Sequence, residues 1–275
     1  IYGFRPSPVL VPNEHSQEKL LRLSSLGGMA KTTKCLTYLL DAQIGNYNND
    51  KAKKLLFSKM IETPFTKKEI RLAWMGTFNG AYNYEPEIET ICIDYLKRLQ
   101  SSKIKIDTLS PKFSAEKLWE SWTTLRCKSI RHNLGEYYFN PKTMNLLKTE
   151  IIWEIEKSLS LTKTKIETAF HFRKEWIKFL KSLFKTYDFL LIPSAQVFPF
   201  PADMPYPNEI NGIKMDTYHR WMEVVIPASL AGLPTISIPC GHNRKGLPAG
   251  IQLIGNFRND LNVLKASHLF EKISN

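Results

Sequence analysis

Trp221 to Gly255 reads WMEVVIPASLAGLPTISIPCGHNRKGLPAGIQLIG. Two short apolar runs stand in it, Thr235 to Ile238 and Ala249 to Ile254, each bounded by Pro and Gly. Such runs read as short buried strands. A polar turn around His242 to Lys245 joins them. Residues 216 to 231 read as a helix kinked at Pro227. Gly232, Gly246, Gly250 and Gly255 flank the strands, where positive φ or close packing excludes a side chain. Asp260 is placed to cap a last helix carrying Leu261, Leu264, His268 and Leu269.

Upstream, Tyr187-Asp188 leads into the apolar run Phe189 to Ile192, which stops at Pro193. The three runs are predicted to share one sheet. Pro193 to Ile213, rich in proline, is a long loop of the kind that lines sites or covers them. Residues 161 to 184 are predicted as one long helix, preceded by helices over 142 to 159 and 114 to 131. Further back, Ile70 to Met75 reads as a strand. Glu85-Pro86 opens a helix whose Ile88, Ile91, Cys92, Tyr95, Leu96 and Leu99 recur at three- and four-residue steps. Ile104 and Ile106 then alternate with polar residues, so this unit is βαβ with a parallel pair. Ala30 to Ile44 is predicted helical, with Cys35, Leu36, Leu39, Leu40 and Ile44 as its stripe and Gly45 as its stop. Residues 1 to 13, with three prolines, are extended. The fold class is α/β: a mixed sheet flanked by helices.

The 275 residues are 43% hydrophobic and 23% charged, the proportions of a globular chain. No apolar run reaches the roughly 20 residues of a membrane span. The four cysteines, Cys35, Cys92, Cys127 and Cys240, form no CxxC pair and are expected as free buried thiols in a reducing compartment, hence the cytoplasm. The net charge is +12. Lysines alternate with apolar residues around Lys51 to Lys54 and Lys163 to Lys185, which reads as a solvated basic face, not a nucleic-acid footprint. Clustering of Lys163, Lys165, Lys174, Lys178 and Lys181 on one face is the pattern that favours nucleic acid.

Amide chemistry needs a nucleophile, a base and oxyanion donors. Ser24-Ser25, near Gly27-Gly28 and Lys31, has the composition of such a set, but LRLSSL reads as the end of an apolar helical segment. Cys240 and His242 are two apart at a strand end, where side chains diverge. His219 and His242 find no third metal ligand at helical or strand spacing. No catalytic residue, metal site or cofactor is assigned on these grounds.

The ordered string Leu-Ala-Gly-Leu-Pro, the strand to Pro-Cys-Gly, and Gly-Leu-Pro-Ala-Gly-Ile-Gln-Leu-Ile-Gly resembles the C-terminal part of the amidase signature family, serine-type hydrolases of carboxamides. IYGFRPSP at 1 to 8, SLGGMAKTTKCLTYLLDAQIG at 25 to 45, IRLAWMGTFNGAYNYEPEIE at 70 to 89 and YDFLLIPSAQVFPFP at 187 to 201 extend the likeness over nearly the whole chain. The resemblance implies a catalytic serine, a second serine on a cis peptide and a lysine base, all in a Gly/Ser-rich segment preceding the counterpart of Ile1. None matches a residue here. The expectation is that residues 1–275 are the C-terminal portion of a single amidase domain, inactive alone, with the nucleophile upstream. Pro193, Ser194 and Trp221 are the expected acyl-pocket residues. Expected partners are a small carboxamide, an N-terminal amidase segment or partner chain, and a second copy as a homodimer, with no nucleic acid and no membrane. The alternative is a non-catalytic binding module that kept the fold.

Overall fold

The computed structural model describes residues 1–12, 23–44, 56–63, 65, 69–100 and 103–274. In chain order the elements are β1 (Tyr2–Arg5), β2 (Met29–Ala30), α1 (Thr33–Ile44), α2 (Phe57–Met60), β3 (Ile70–Trp74), α3 (Ile88–Leu99), β4 (Ile104–Thr108), α4 (Ala115–Phe139), α5 (Thr149–Leu159), α6 (Lys163–Leu183), β5 (Phe189–Pro193), β6 (Glu209–Ile210), β7 (Ile213–Lys214), α7 (Ile226–Ala231), β8 (Thr235–His242), β9 (Pro248–Gly255) and α8 (Asp260–Ser274). Short 3-10 turns cover Met144–Leu146 and Arg220–Val225.

Seven strands form one sheet in the order β2-β1-β8-β9-β5-β3-β4. β3 pairs parallel with β4 and β5, and the remaining pairs are antiparallel. The predicted βαβ unit and the shared sheet of Phe189–Ile192, Thr235–Ile238 and Ala249–Ile254 are both present. β5 is buried throughout, because helices cover both faces. Phe189 and Leu191 join the core under α1, α3 and α8; Leu190 and Ile192 join the core under α4, α6 and α7. In the second core, Trp176 is fully buried and its Nε1 donates to the Pro227 carbonyl at 2.8 Å, tying α6 to α7.

Several boundaries differ from expectation. α3 begins at Ile88, after Glu87 in the left-handed region at φ 78°. Pro86 therefore precedes the helix and does not occupy its first turn. Pro227 sits in the first turn of α7, where a missing amide hydrogen costs nothing, so it starts a helix and kinks none. The irregular residue is Met222. Residues 23–28 are irregular, not the end of a helix. α1 starts only at Thr33, because Met29 and Ala30 pair with β1. Its buried face is Thr33, Leu36, Thr37 and Leu40, while Cys35 and Leu39 are exposed. Cys35 thus departs from the expected buried thiols; Cys92, Cys127 and Cys240 are buried. Gly45 and Lys51 to Lys54 lie outside the described residues.

Asp260 does not cap α8. Its carboxylate accepts from the Ser7 amide at 2.7 Å and from the Ser7 hydroxyl at 2.6 Å, while the preceding Asn259 Oδ1 accepts from Asn262 Nδ2. Both Ser7 and Asp260 are buried, so this charged acceptor binds the residues after β1 to the start of the last helix. Asp260→Ala is expected to destabilise the fold by about 2–3 kcal/mol, the usual cost of stranding buried donors from a charged acceptor. Equilibrium urea unfolding measures it, and an unchanged midpoint would remove the clasp from the account.

Candidate functional site

The site grows from the alternation in β8. Ile236 and Ile238 point into the first core, so Thr235 and Ser237 face the other way. Register sets Gly3, Ser237 and Gln252 in one row across β1, β8 and β9, with Arg5 and Thr235 in the next. This polar patch is the floor of a cavity of about 420 Å³, walled by Ser194 after β5, by Val225, Ala228 and Ser229 around α7, and by Ser25, Gly27, Gly28 and Met29.

The floor is held rigidly. Gln252 is buried, and its Nε2 donates to the Pro193 carbonyl at 2.9 Å and the Val224 carbonyl at 3.2 Å. Ser194 Oγ and Ser237 Oγ lie 2.7 Å apart, and the Ser194 amide donates to the Gly250 carbonyl at 2.8 Å. A Cβ on Gly250 would stand 3.0 Å from Ser194 Oγ and 3.2 Å from the Ile238 carbonyl, so glycine there lets Ser194 reach Ser237. Ser25 Oγ is buried and has no hydrogen-bond partner among the described residues.

Two guanidiniums back the site. Arg5 donates to the Leu233 carbonyl at 3.1 Å and the Leu23 carbonyl at 3.0 Å; Arg173 donates to the Leu230 carbonyl at 2.7 Å. They complement the exposed carbonyls at the C-terminus of α7, which Gly232 closes in the left-handed conformation. Burial, and then the neighbouring Arg173, hold the Arg5 pKa down to about 10 against the pull of Asp260. Arg5 stays cationic at neutral pH.

Among the described residues, the cavity lining carries hydroxyls, an amide and a guanidinium, but no Lys, His, Asp, Glu or Cys. A hydroxyl without an adjacent base is a weak nucleophile. Among the described residues, no three His, Cys, Asp or Glu side chains converge on a metal-sized site.

The sequence-predicted residues separate here. Ser194 lines the cavity. Pro193 is buried at the end of β5 and contributes its carbonyl to Gln252. Trp221 lies outside the lining, half-buried, edge-on to Phe200 at 5.5 Å. Cys240 points into the first core and His242 is exposed, with a register shift between Pro239 and Gly241. His219 is buried beside Glu154 at 3.2 Å, within the Arg126–Glu154 ion pair, far along the chain from His242. On α6, helical spacing puts Lys163, Lys174, Lys178 and Lys181 on one face and Lys165 opposite; Glu167 shares that face, 3.9 Å from Lys163. Thr235, Ser237, Gln252 and Arg5 were not singled out in the sequence. The alternation in Thr-Ile-Ser-Ile and the lone Gln in an apolar strand are the signals that mark them.

The family model described as Amidase matches residues 1–264, and the chain belongs to the amidase, or amidase signature, family. A glutamyl-tRNA(Gln) amidotransferase polypeptide of Orientia tsutsugamushi (strain Ikeda) is 26% identical over 78% of this chain and 44% of its own length. An acylamidase of Rhodococcus erythropolis is 22% identical over 99% of this chain and 57% of its own. The crystal structure of a bacterial aryl acylamidase of the amidase signature enzymes superposes with a TM-score of 0.81 at 20% identity, covering 99% of this chain and 58% of that one. The chain thus spans about half the length of the relatives it matches. Among the described residues, no helix is long and apolar enough to cross a membrane.

Glu223 lies one residue before the Val224 carbonyl that receives Gln252. Burial pushes its carboxyl up to about 7; Arg220, which donates to Glu223 Oε1 at 3.2 Å while also gripping both oxygens of Asp216 at 3.0 and 2.9 Å, offsets this only in part, and the nearby Glu116 and Asp216 carboxylates add to the rise. The folded protein therefore holds this proton more tightly than the unfolded chain, in which a Glu titrates near 4.3. The associated stability is fully present below about pH 4 and is lost as pH rises through about 7. Between those limits the wild type is expected to lose about 2–3 kcal/mol relative to Glu223→Gln. Urea midpoints of both proteins across this range are the check, and parallel curves would refute the assignment.

Proposed function

We propose that this chain forms the scaffold and acyl pocket of a serine-type amidase that hydrolyses the C–N bond of a small carboxamide. The nucleophile, its bridging serine and the lysine base reach the cavity from a segment outside these 275 residues. Residues 1–275 are then the C-terminal portion of one amidase domain. The observation that carries this reading is the cavity itself: polar on its floor, apolar along one wall, and, among the described residues, without any side chain able to act as a base. Such a pocket can orient an acyl group and exclude water, but it cannot activate a hydroxyl.

The mouth of the cavity supports the same reading. Met29 belongs to the lining and is 76% exposed; Leu26, three residues before it, and Ile1, which precedes its partner strand β1, are exposed as well. β2, at the sheet edge, is two residues long. Exposed apolar side chains gathered at a sheet edge favour docking of further polypeptide. Of the three expected pocket residues, Ser194 is a direct acyl-pocket contact in this proposal, Pro193 positions Gln252, and Trp221 has no place in the lining.

The test compares the 275-residue chain with the same chain joined to a Gly/Ser-rich amidase segment, using an anilide substrate and following released aniline. The chain alone is expected to give no turnover above buffer, and the joined protein to hydrolyse the anilide. Turnover by the chain alone that falls on Ser25→Ala or Ser194→Ala would place the nucleophile within it and overturn the proposal. Binding of a carboxamide with no turnover in either form would favour the binding-module reading.

A further inference from the structure

Gln252 is fixed in a way that settles which of its atoms remains free. Its side-chain nitrogen lies against two carbonyl oxygens, those of Pro193 and Val224. Carbonyls only accept, so both hydrogens of the amide are turned toward them. The remaining polar atom is Oε1, and Gln252 belongs to the cavity lining. An oxygen so held is an acceptor that cannot rotate into a donor without breaking two buried hydrogen bonds. Beside it, across the β8–β9 pairing, is Ser237. The Ser194–Ser237 hydroxyl pair uses one of its hydrogens internally and keeps the other.

We propose that Gln252 Oε1 and the Ser194–Ser237 pair form a subsite that reads a carboxamide by its two ends. Oε1 accepts from the ligand N–H, and the hydroxyl pair donates to the ligand carbonyl. This inference rests on the amidase reading given above and deepens it, because it names the residues that tell an amide from its isosteres. A ketone offers only the carbonyl and leaves Oε1 unpaired. A carboxylate sets an anionic oxygen against Oε1. Sites built around a buried hydrogen-bonding group reject analogues that lack the partner far more strongly than apolar pockets reject a missing methylene. Among the described residues, the lining contains no carboxylate and no base that could take over the role of the acceptor.

The probes are benzamide, acetophenone and benzoate, which share a ring and a carbonyl carbon and differ at one substituent. Each is titrated into the 275-residue chain and followed by nitrogen-15 NMR, including the side-chain amide of Gln252. Benzamide is expected to bind at least about tenfold more tightly than acetophenone or benzoate, and to shift the Gln252 side-chain resonance, which acetophenone leaves in place. In Gln252→Met the preference for benzamide over acetophenone is expected to fall to near unity. Equal binding of benzamide and acetophenone in the wild type would overturn the subsite while leaving the pocket as a carboxamide site. So would a tenfold preference that survives in Gln252→Met. If that variant does not fold, the wild-type ranking and the Gln252 resonance decide the matter alone. If none of the three probes perturbs residues of the cavity, the pocket reading falls together with the subsite.

Discussion

Two glutamines clamp one residue, Val224. Gln196 Oε1 accepts from the Val224 amide at 3.1 Å, and Gln252 Nε2 donates to the Val224 carbonyl at 3.2 Å. Gln196 also donates to the Asn83 carbonyl at 3.0 Å, and its own carbonyl receives the Glu85 amide at 2.8 Å. The loop after β5, the approach to α3 and the segment entering α7 are thus fastened to the sheet at one point. Val225 and Ala228, the wall of the cavity, follow within one turn of Val224. All of these partners are buried or half-buried, so each bond is made where an unmade one is costly. The shape of the cavity is a consequence of that clamp.

The parts of the fold that are legible in the sequence are those governed by local pattern. Phe189 to Ile192 is apolar at every position because both faces of β5 are covered, and Pro193 ends the run. The three- and four-residue recurrence from Ile88 to Leu99 marks α3 as amphipathic. What the sequence hides is decided at long range. Asp260 has the type and place of a helix cap, yet Ser7, more than 250 positions away, takes its carboxylate. Pro227 looks like a helix breaker until Trp176 and the 3-10 turn before it show that a helix starts there. The site residues were hidden for a related reason. Ser237 and Gln252 stand within runs whose apolar neighbours dominate the reading, and only the pairing of β8 with β9 places them side by side. Trp221, expected in the acyl pocket, packs its ring edge-on against Phe200 outside the cavity.

Charge in the second layer of the cavity follows the backbone more than other side chains. Arg5 and Arg173 both donate to carbonyls around the end of α7. Burial first, and repulsion between the two like charges second, make Arg5 hold its proton less tightly than usual. Their joint presence is sustained by the carbonyl dipoles and by Asp260, which is itself bound to Ser7. The tie between the first strand and the last helix is therefore also part of the electrostatic setting of the site floor.

The order of strands in the sheet carries a consequence for biosynthesis. β1 lies between β2 and β8, and its partner residues Thr235 to Ser237 are more than 230 positions downstream. During translation Tyr2 and Phe4, both buried in the finished core, emerge long before the strand that shelters them. At about 5–20 residues per second, that interval is on the order of ten seconds or more. Until then β1 has only β2 to pair with, and the edge that β8 covers stays open.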